Sequence, residues 1–104
     1  MGKFYSSYFS NRVFALVGEF KHYNPNELLD AIVFLLGGVW LRQLSNPHVI
    51  IVGDASDPSL YSSMASTFPS AIITSECKLD DLLQEEQFEN GADGLIELLR
   101  KRLE

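Results

Sequence analysis

Residues that form covalent or metal cross-links are scarce in this sequence. Cys77 is the only cysteine among 104 residues. An internal disulfide and a cysteine-based zinc site are therefore excluded, and the composition fits a reducing compartment. The two histidines, His22 and His48, are not spaced as a metal-binding motif. We therefore expect neither a metal nor a cofactor.

Long hydrophobic runs are also missing. The longest, Ala31 to Leu41, is about half the length that crosses a membrane, and it contains two glycines. No basic segment followed by a small-residue cleavage site marks a signal peptide. We expect no membrane association, with localisation in the nucleus if the source is eukaryotic and otherwise in the cytoplasm.

Basic residues are few, and the net charge is −6. The chain up to Val52 carries four basic and three acidic residues, whereas the chain from Gly53 onward carries four basic and eleven acidic ones. Non-specific DNA affinity comes mainly from Lys and Arg neutralising phosphates, so DNA is disfavoured as a partner. The carboxylates of Asp80, Asp81, Glu85, Glu86 and Glu89 are predicted to form a solvated helix face.

Apolar and charged residues make up 46% and 21% of the chain, which is typical of one globular domain. Short apolar runs rich in strand formers alternate with amphipathic segments. Strands are predicted over 12–17, 39–44, 48–52 and 70–74, and helices over 25–36, 58–68, from 76 onward and over 95–103. The order β-α-β-β-α-β-α plus one extra C-terminal helix predicts an α/β three-layer sandwich with a four-stranded parallel sheet.

Local signals place the ends of these elements. Asn24 is the predicted N-cap of the first helix, with Pro25 at its first position, and Gly37 is the predicted left-handed C-cap. Ser75 is predicted to cap the third helix. The segment 90–94, which contains two glycines, is predicted to break the chain before the last helix.

Four segments between residues 12 and 83 carry a family resemblance. They are the turn Gly18-Glu19-Phe20, the pair Gly37-Gly38, the strand 49–52 followed by Gly53, and the stretch Ala71-Ile72-Ile73-Thr74-Ser75-Glu76. In order and spacing they resemble the G-x-F turn, the glycine pair, the "THLVVG" strand and the "v-v-s-x-e-w" stretch of a BRCT domain. The resemblance implies one BRCT-like domain over 1–104, with a core at about 12–86 and a C-terminal amphipathic helix at about 94–103.

The chain departs from the family pattern in the last family helix. Many BRCT domains have a core tryptophan there, and this chain has none, so Leu79 or Leu82 must fill the space. Trp40 lies instead in the second predicted strand, as a packing or partner-contact residue. The extra segment 85–104 has no counterpart in the minimal family pattern.

The phosphate-binding positions of the family are degenerate here. Phosphopeptide-binding members hold phosphate with a Ser or Thr before the first-strand glycine, with the glycine N–H and with a Lys at the start of the second helix. Val17 replaces the hydroxyl, Gly18 is kept, and the helix start around Ser59 contains no Lys or Arg. The Gly18 turn is therefore predicted to be a structural bend, and phosphopeptide binding at these positions is not expected.

No catalytic residues are predicted, and the chain is not expected to be an enzyme. Asp54 follows a strand as the phospho-acceptor of a receiver domain does, but the acidic pair after the first strand is missing. No serine lies in a G-x-S-x-G elbow. A nucleotide-binding flavodoxin-like domain would need a Gly-rich or hydroxyl-rich loop after the first strand, which is also missing.

The resemblance implies a non-enzymatic protein–protein interaction module in DNA-damage response, replication or repair. The partner would be another protein or a second BRCT domain, including a homodimer. Leu95, Leu98, Leu99 and Leu103 form one helical stripe, which packs either on this domain or against such a partner. The alternative function is a DNA-end or DNA-junction binding domain of a ligase or clamp loader, for which Lys3, Lys21 and Arg42 are the nearby basic candidates.

Overall fold

The described residues of this computed structural model, 8–41, 46–86 and 91–103, form four strands and four helices. In chain order the elements are β1 (Val13–Val17), α1 (Pro25–Leu36), β2 (Val39–Trp40), β3 (Val49–Val52), α2 (Pro58–Thr67), β4 (Ile72–Ser75), α3 (Glu76–Glu85) and α4 (Gly91–Leu103). The predicted α/β class and order of elements are confirmed. No described helix is both long enough and apolar enough to cross a bilayer.

The four strands form one parallel sheet in the order β2-β1-β3-β4. Every residue of β3 is buried, as expected for a central strand that is covered on both faces. Phe14 pairs with Val49 and faces α1, α3 and α4, whereas Ala15 pairs with Ile50 and faces α2. The helices thus lie in two layers on either side of the sheet, as the three-layer prediction requires.

The predicted helix caps are present. The Asn24 side chain accepts hydrogen bonds from the backbone N–H groups of Asn26 and Glu27, and Pro25 follows it as the first helical residue. The Ser75 hydroxyl accepts the N–H of Lys78 at the start of α3. These caps are encoded within four residues of sequence, so they were predictable without tertiary information.

The glycine pair brings α1 against β1. Gly37 ends α1 in the left-handed conformation, with φ of 72°. A Cβ at Gly38 would lie 2.7 Å from Ile32 Cγ2 and 3.0 Å from the ring of Phe14. A larger residue at Gly38 would therefore separate the helix from the strand.

Three boundaries differ from the prediction by two residues or more. β2 ends at Trp40, and the predicted continuation over 42–45 lies outside the described residues. β4 begins at Ile72, because the N–H of Ala71 is held in a turn by the carbonyl of Phe68. The break predicted over 90–94 is wrong from Gly91 onward, since α4 begins there; Asn90 itself lies outside the described residues.

The main core includes residues from both ends of the described chain. Phe9 is fully buried and meets Phe14 edge to face, with 6.1 Å between the ring centroids. Leu79 is also fully buried in this core, whereas Leu82 is half-buried. From α4, the core includes Ala92, Leu95, Ile96 and Leu99.

Candidate functional site

One carboxylate joins the two loops at the carboxyl edge of the sheet. Glu76, the first residue of α3, has no exposed surface. Its Oε1 accepts the backbone N–H groups of Lys21 at 2.7 Å and Asp54 at 2.6 Å. Its Oε2 accepts those of His22 at 2.7 Å and Tyr23 at 3.0 Å. The β1–α1 and β3–α2 loops are thereby fixed to the start of α3.

The electrostatics of this site favour an ionised Glu76. Burial by itself raises the pKa of the Glu76 carboxyl, but the four backbone N–H groups outweigh burial and hold that pKa below its usual value. The helix N-terminus also favours a negative charge at this position. Converging loop N–H groups of this kind form a concavity suited to an anion. In this chain its occupant is a carboxylate of the protein itself.

The space beside Gly18 is filled by side chains. Ser56 Oγ accepts the N–H of Glu19 at 2.8 Å, and a Cβ at Gly18 would lie 2.0 Å from that oxygen and 2.7 Å from Leu60 Cδ2. Gly18 has φ of +78°, so a glycine suits the turn for backbone reasons as well. These two features give the turn a structural role without a ligand.

The two other degenerate pocket positions also lack the family's phosphate-binding features. Val17 is half-buried at the end of β1 and has no side-chain donor. The Ser59 N–H is held by Asp57 Oδ1 at 2.8 Å, and this backbone hydrogen bond, followed by one from the Ser59 side chain, lowers the pKa of Asp57. A carboxylate thus stands where a phosphate would need a cation.

Two further polar contacts surround the Glu76 site. His22 Nε2 lies 3.1 Å from Asp54 Oδ2. The Tyr23 hydroxyl donates to the Asp80 carboxylate and lies 2.9 Å from Oδ1 and 2.8 Å from Oδ2. Asp80 Oδ1 also accepts the Ala92 N–H at 2.9 Å. Burial and then the hydrogen bond to Asp80 raise the pKa of Tyr23. Asp80 therefore joins α3 both to the loop before α1 and to the start of α4.

The predicted solvated acidic face is wrong for Asp80. Its carboxylate is half-buried and bonded as above, while Asp81 and Glu85 are exposed and Glu86 is half-buried. Glu89 lies outside the described residues. Within 8–41, 46–86 and 91–103, no group of three or more His, Cys, Asp or Glu side chains is placed to hold a metal ion.

The leucine stripe of α4 faces the domain's own core. Leu95 and Leu99 are buried against α1 and α3, and Leu98 is half-buried at the margin of the same cluster. The side chain of Leu103 lies outside the described part of the chain. The arrangement is that of the first alternative, in which the stripe packs on this domain, so Leu95 and Leu99 are not available to a partner.

Large apolar side chains are exposed instead at the end of α1 and in and after β2, one of the two outer strands of the sheet. Phe34 is 60% exposed, Val39 39%, Trp40 43% and Leu41 47%. We call these four residues the β2 surface. Val39 and Trp40 point to opposite faces of β2 because side chains alternate along a strand, so both faces of this open edge are apolar. Trp40 is predicted from the sequence as a packing or partner-contact residue, and it is partly exposed here. The exposure of Phe34 was not predicted, because Phe34 lies within the apolar run from Ala31 to Leu36.

Of the three basic residues named as candidates for DNA binding, only Lys21 lies within the described part of the chain. Lys3 and Arg42 lie outside the described residues. Lys21 is exposed in the β1–α1 loop, which also contains Glu19 and is fixed to Asp54 through Glu76. Carboxylates at this end of the sheet oppose a phosphate backbone.

Comparison with protein-family models, curated proteins and solved structures gave no match to this chain. The likeness to BRCT domains therefore rests on the four sequence segments and on what they imply.

Proposed function

We propose that this chain is a non-enzymatic protein–protein interaction module of BRCT type. The observation that carries the proposal is the β2 surface. Four large apolar side chains lie within eight residues, 34 to 41, around a sheet edge that no described strand covers. Exposed apolar clusters that include an aromatic residue are typical of protein-binding sites.

The packing around Gly18 at the carboxyl edge of the sheet also supports a binding module over an enzyme. Open α/β sheets usually bind substrates and cofactors outside the carboxyl ends of their strands. Here the loops at that edge are fixed together by Glu76, and Ser56 and Leu60 fill the space beside Gly18. The exposed apolar β2 surface therefore offers a partner more contact area than the turn at Gly18 does.

The resemblance gives this module a cellular setting. It implies a role in DNA-damage response, replication or repair, in the nucleus of a eukaryote or otherwise in the cytoplasm. The partner is another protein or a second BRCT domain, and a homodimer through the β2 surface is included. DNA-end binding is the competing function, and the carboxylates near Lys21 weigh against it.

The test uses a charge introduced on the β2 surface. We expect Trp40→Lys to lose a saturable protein partner, whereas Trp40→Phe, which keeps the surface apolar, retains it. Ala65→Lys introduces the same charge at an exposed position of α2, on the opposite layer, and serves as the matched control. Self-association is measured by sedimentation velocity, and partners are compared by quantitative affinity capture with all four proteins.

A loss of at least about tenfold in Trp40→Lys alone is expected for a central aromatic contact. Equal capture or equal self-association by Trp40→Lys and Ala65→Lys would remove the β2 surface from the proposal. Binding to a blunt DNA duplex that weakens steeply with salt, without any protein partner, would favour the DNA-binding alternative.

A further inference from the structure

A cavity lies at the opposite end of the sheet from Glu76. It has a volume of about 360 Å³ and opens where β1, β3 and β4 begin and where α2 ends. Its lining includes Arg12, His48, Phe68 and Ile72. This volume falls in the lower part of the range of small-molecule sites.

The charge of this cavity differs from that of its neighbours. Three other cavities, of about 310 to 400 Å³, are each lined by at least two carboxylates. The cavity at Arg12 has none in its lining, although the chain carries a net charge of −6. Among the described residues no carboxylate lies within ion-pair distance of Arg12. Its guanidinium is therefore available to an anionic ligand.

His48 supplies a second donor beside Arg12. The ring Nδ1 of His48 accepts the backbone N–H of Val13 at 3.0 Å, and the backbone N–H of His48 donates to the Val13 carbonyl at 2.7 Å. Because Nδ1 acts as the acceptor, the neutral imidazole carries its proton on Nε2. The strand pairing thus selects the tautomer and leaves one N–H of the exposed ring for a ligand.

The remaining walls favour an organic carboxylate over an inorganic anion. Pro47, Phe68 and Ile72 offer apolar surface, and the side chain of Ile72 is 38% exposed. The C-terminal end of α2 also lies here, and the last carbonyls of a helix have no intrahelical partner and carry partial negative charge. They repel a bare anion but accept an N–H group.

We propose that this cavity binds the C-terminal residue of a peptide. Its carboxylate pairs with Arg12 and His48, its apolar side chain packs on Phe68 and Ile72, and its N–H faces the last carbonyls of α2. The proposal does not depend on the β2 surface, so either can fail while the other holds.

The test is a titration of the ¹⁵N-labelled protein, followed by NMR, with the acetylated peptide Gly-Ser-Ile-Leu bearing a free C-terminus. The same peptide with a C-terminal amide, N-acetyl-leucine and inorganic phosphate serve as comparison ligands. We expect saturable shifts of the backbone amides of Thr67, Phe68, residues 70–72 and His48 with the free acid. We expect at least about tenfold weaker binding of the amide, because a charge-assisted contact is lost.

Arg12→Gln is expected to weaken binding of the free-acid peptide by a similar factor. Lys101→Gln, which removes an exposed cation of α4, is expected to leave that binding unchanged. Trp40→Lys should also bind normally. Circular dichroism confirms that each variant is folded. N-acetyl-leucine carries the same carboxylate, apolar side chain and N–H as the last residue of the peptide, so it is expected to shift the same amides.

Four outcomes with the peptide ligands would overturn the proposal. They are equal binding of acid and amide, an unaffected Arg12→Gln protein, shifts confined to other parts of the molecule, and no shifts at millimolar peptide. Phosphate binding as strongly as the peptide would also contradict it, because the apolar wall would then contribute nothing.

Discussion

The carboxylate of Glu76 accepts the backbone N–H of Asp54 at 2.6 Å across the carboxyl edge of the sheet. Glu76 begins α3 and Asp54 lies in the β3–α2 loop, and the same Glu76 side chain also accepts N–H groups from Lys21 and His22 in the β1–α1 loop. A single buried anion therefore satisfies donors that would otherwise need water or a ligand. The stability of this edge depends on the charge of one side chain.

Replacing Glu76 with Gln should destabilise the protein strongly. Gln keeps the size of the side chain but presents an NH₂ group to backbone donors, which leaves buried N–H groups unpaired. We expect a loss of about 3 kcal/mol in the free energy of unfolding, measured by urea denaturation at pH 7. Glu97→Gln removes the same charge from an exposed site on α4 and should change stability by less than about 0.5 kcal/mol.

Glu76 should also make stability depend on pH. Its pKa in the folded protein is below the ordinary value of 4.5, so the unfolded chain binds the proton more readily. The stabilisation is fully present above pH 4.5 and is lost as the pH falls through the folded pKa. The free-energy difference between wild type and Glu76→Gln should therefore narrow on acidification, while that for Glu97→Gln stays nearly constant. A difference that does not change with pH would contradict this account.

Asp80 and Asp81 offer a matched pair of substitutions. Asp80 accepts the Tyr23 hydroxyl and the Ala92 N–H, whereas Asp81 is exposed. Asp80→Ala should cost about 2–3 kcal/mol, because two donors lose a charged acceptor, and Asp81→Ala should cost less than about 0.5 kcal/mol. Amide hydrogen exchange at Ala92 should accelerate in the Asp80 variant alone. Similar effects of both substitutions would show that Asp80 does not fix the start of α4.

Tyr61 fixes α2 to β4, the outer strand on the opposite side of the sheet from β2. Its hydroxyl donates to the carbonyl of Ile73 in the outer strand β4 at 2.8 Å, and Lys78 Nζ lies 5.6 Å from its ring centroid. Tyr61→Phe keeps the ring contact and removes only the hydroxyl. We expect a loss of about 1 kcal/mol in thermal or urea unfolding. Tyr8→Phe, which removes a longer, 3.3 Å contact to Glu85, should cost less; the reverse order would contradict the role given to Tyr61.

The sequence was sufficient wherever the signal was local. Asn24, Gly37 and Ser75 were identified as caps because each acts on backbone within a few residues of itself. The apolar run over 48–52 identified a strand from neighbouring residues in the same way. The order of elements followed from such signals, and with it the class of fold.

The sequence was insufficient wherever one residue acts on a distant segment. Glu76 was identified only as the start of a helix, since nothing nearby shows that its acceptors are needed by residues more than fifty positions earlier. Asp80 was placed in a solvated run because its neighbours are acidic. The early start of α4 was missed for a related reason: two glycines predict a break, and the contact that opposes it comes from α3.

The position of α4 has a consequence for protein synthesis. Ala92, Leu95 and Leu99 close the same core that contains Leu28 and Leu79. A nascent chain that has emerged only as far as α3 therefore has its strands but an uncovered apolar face. Folding of this domain can be completed only after residue 99 has left the ribosome, and until then the growing chain exposes apolar surface that is prone to aggregation.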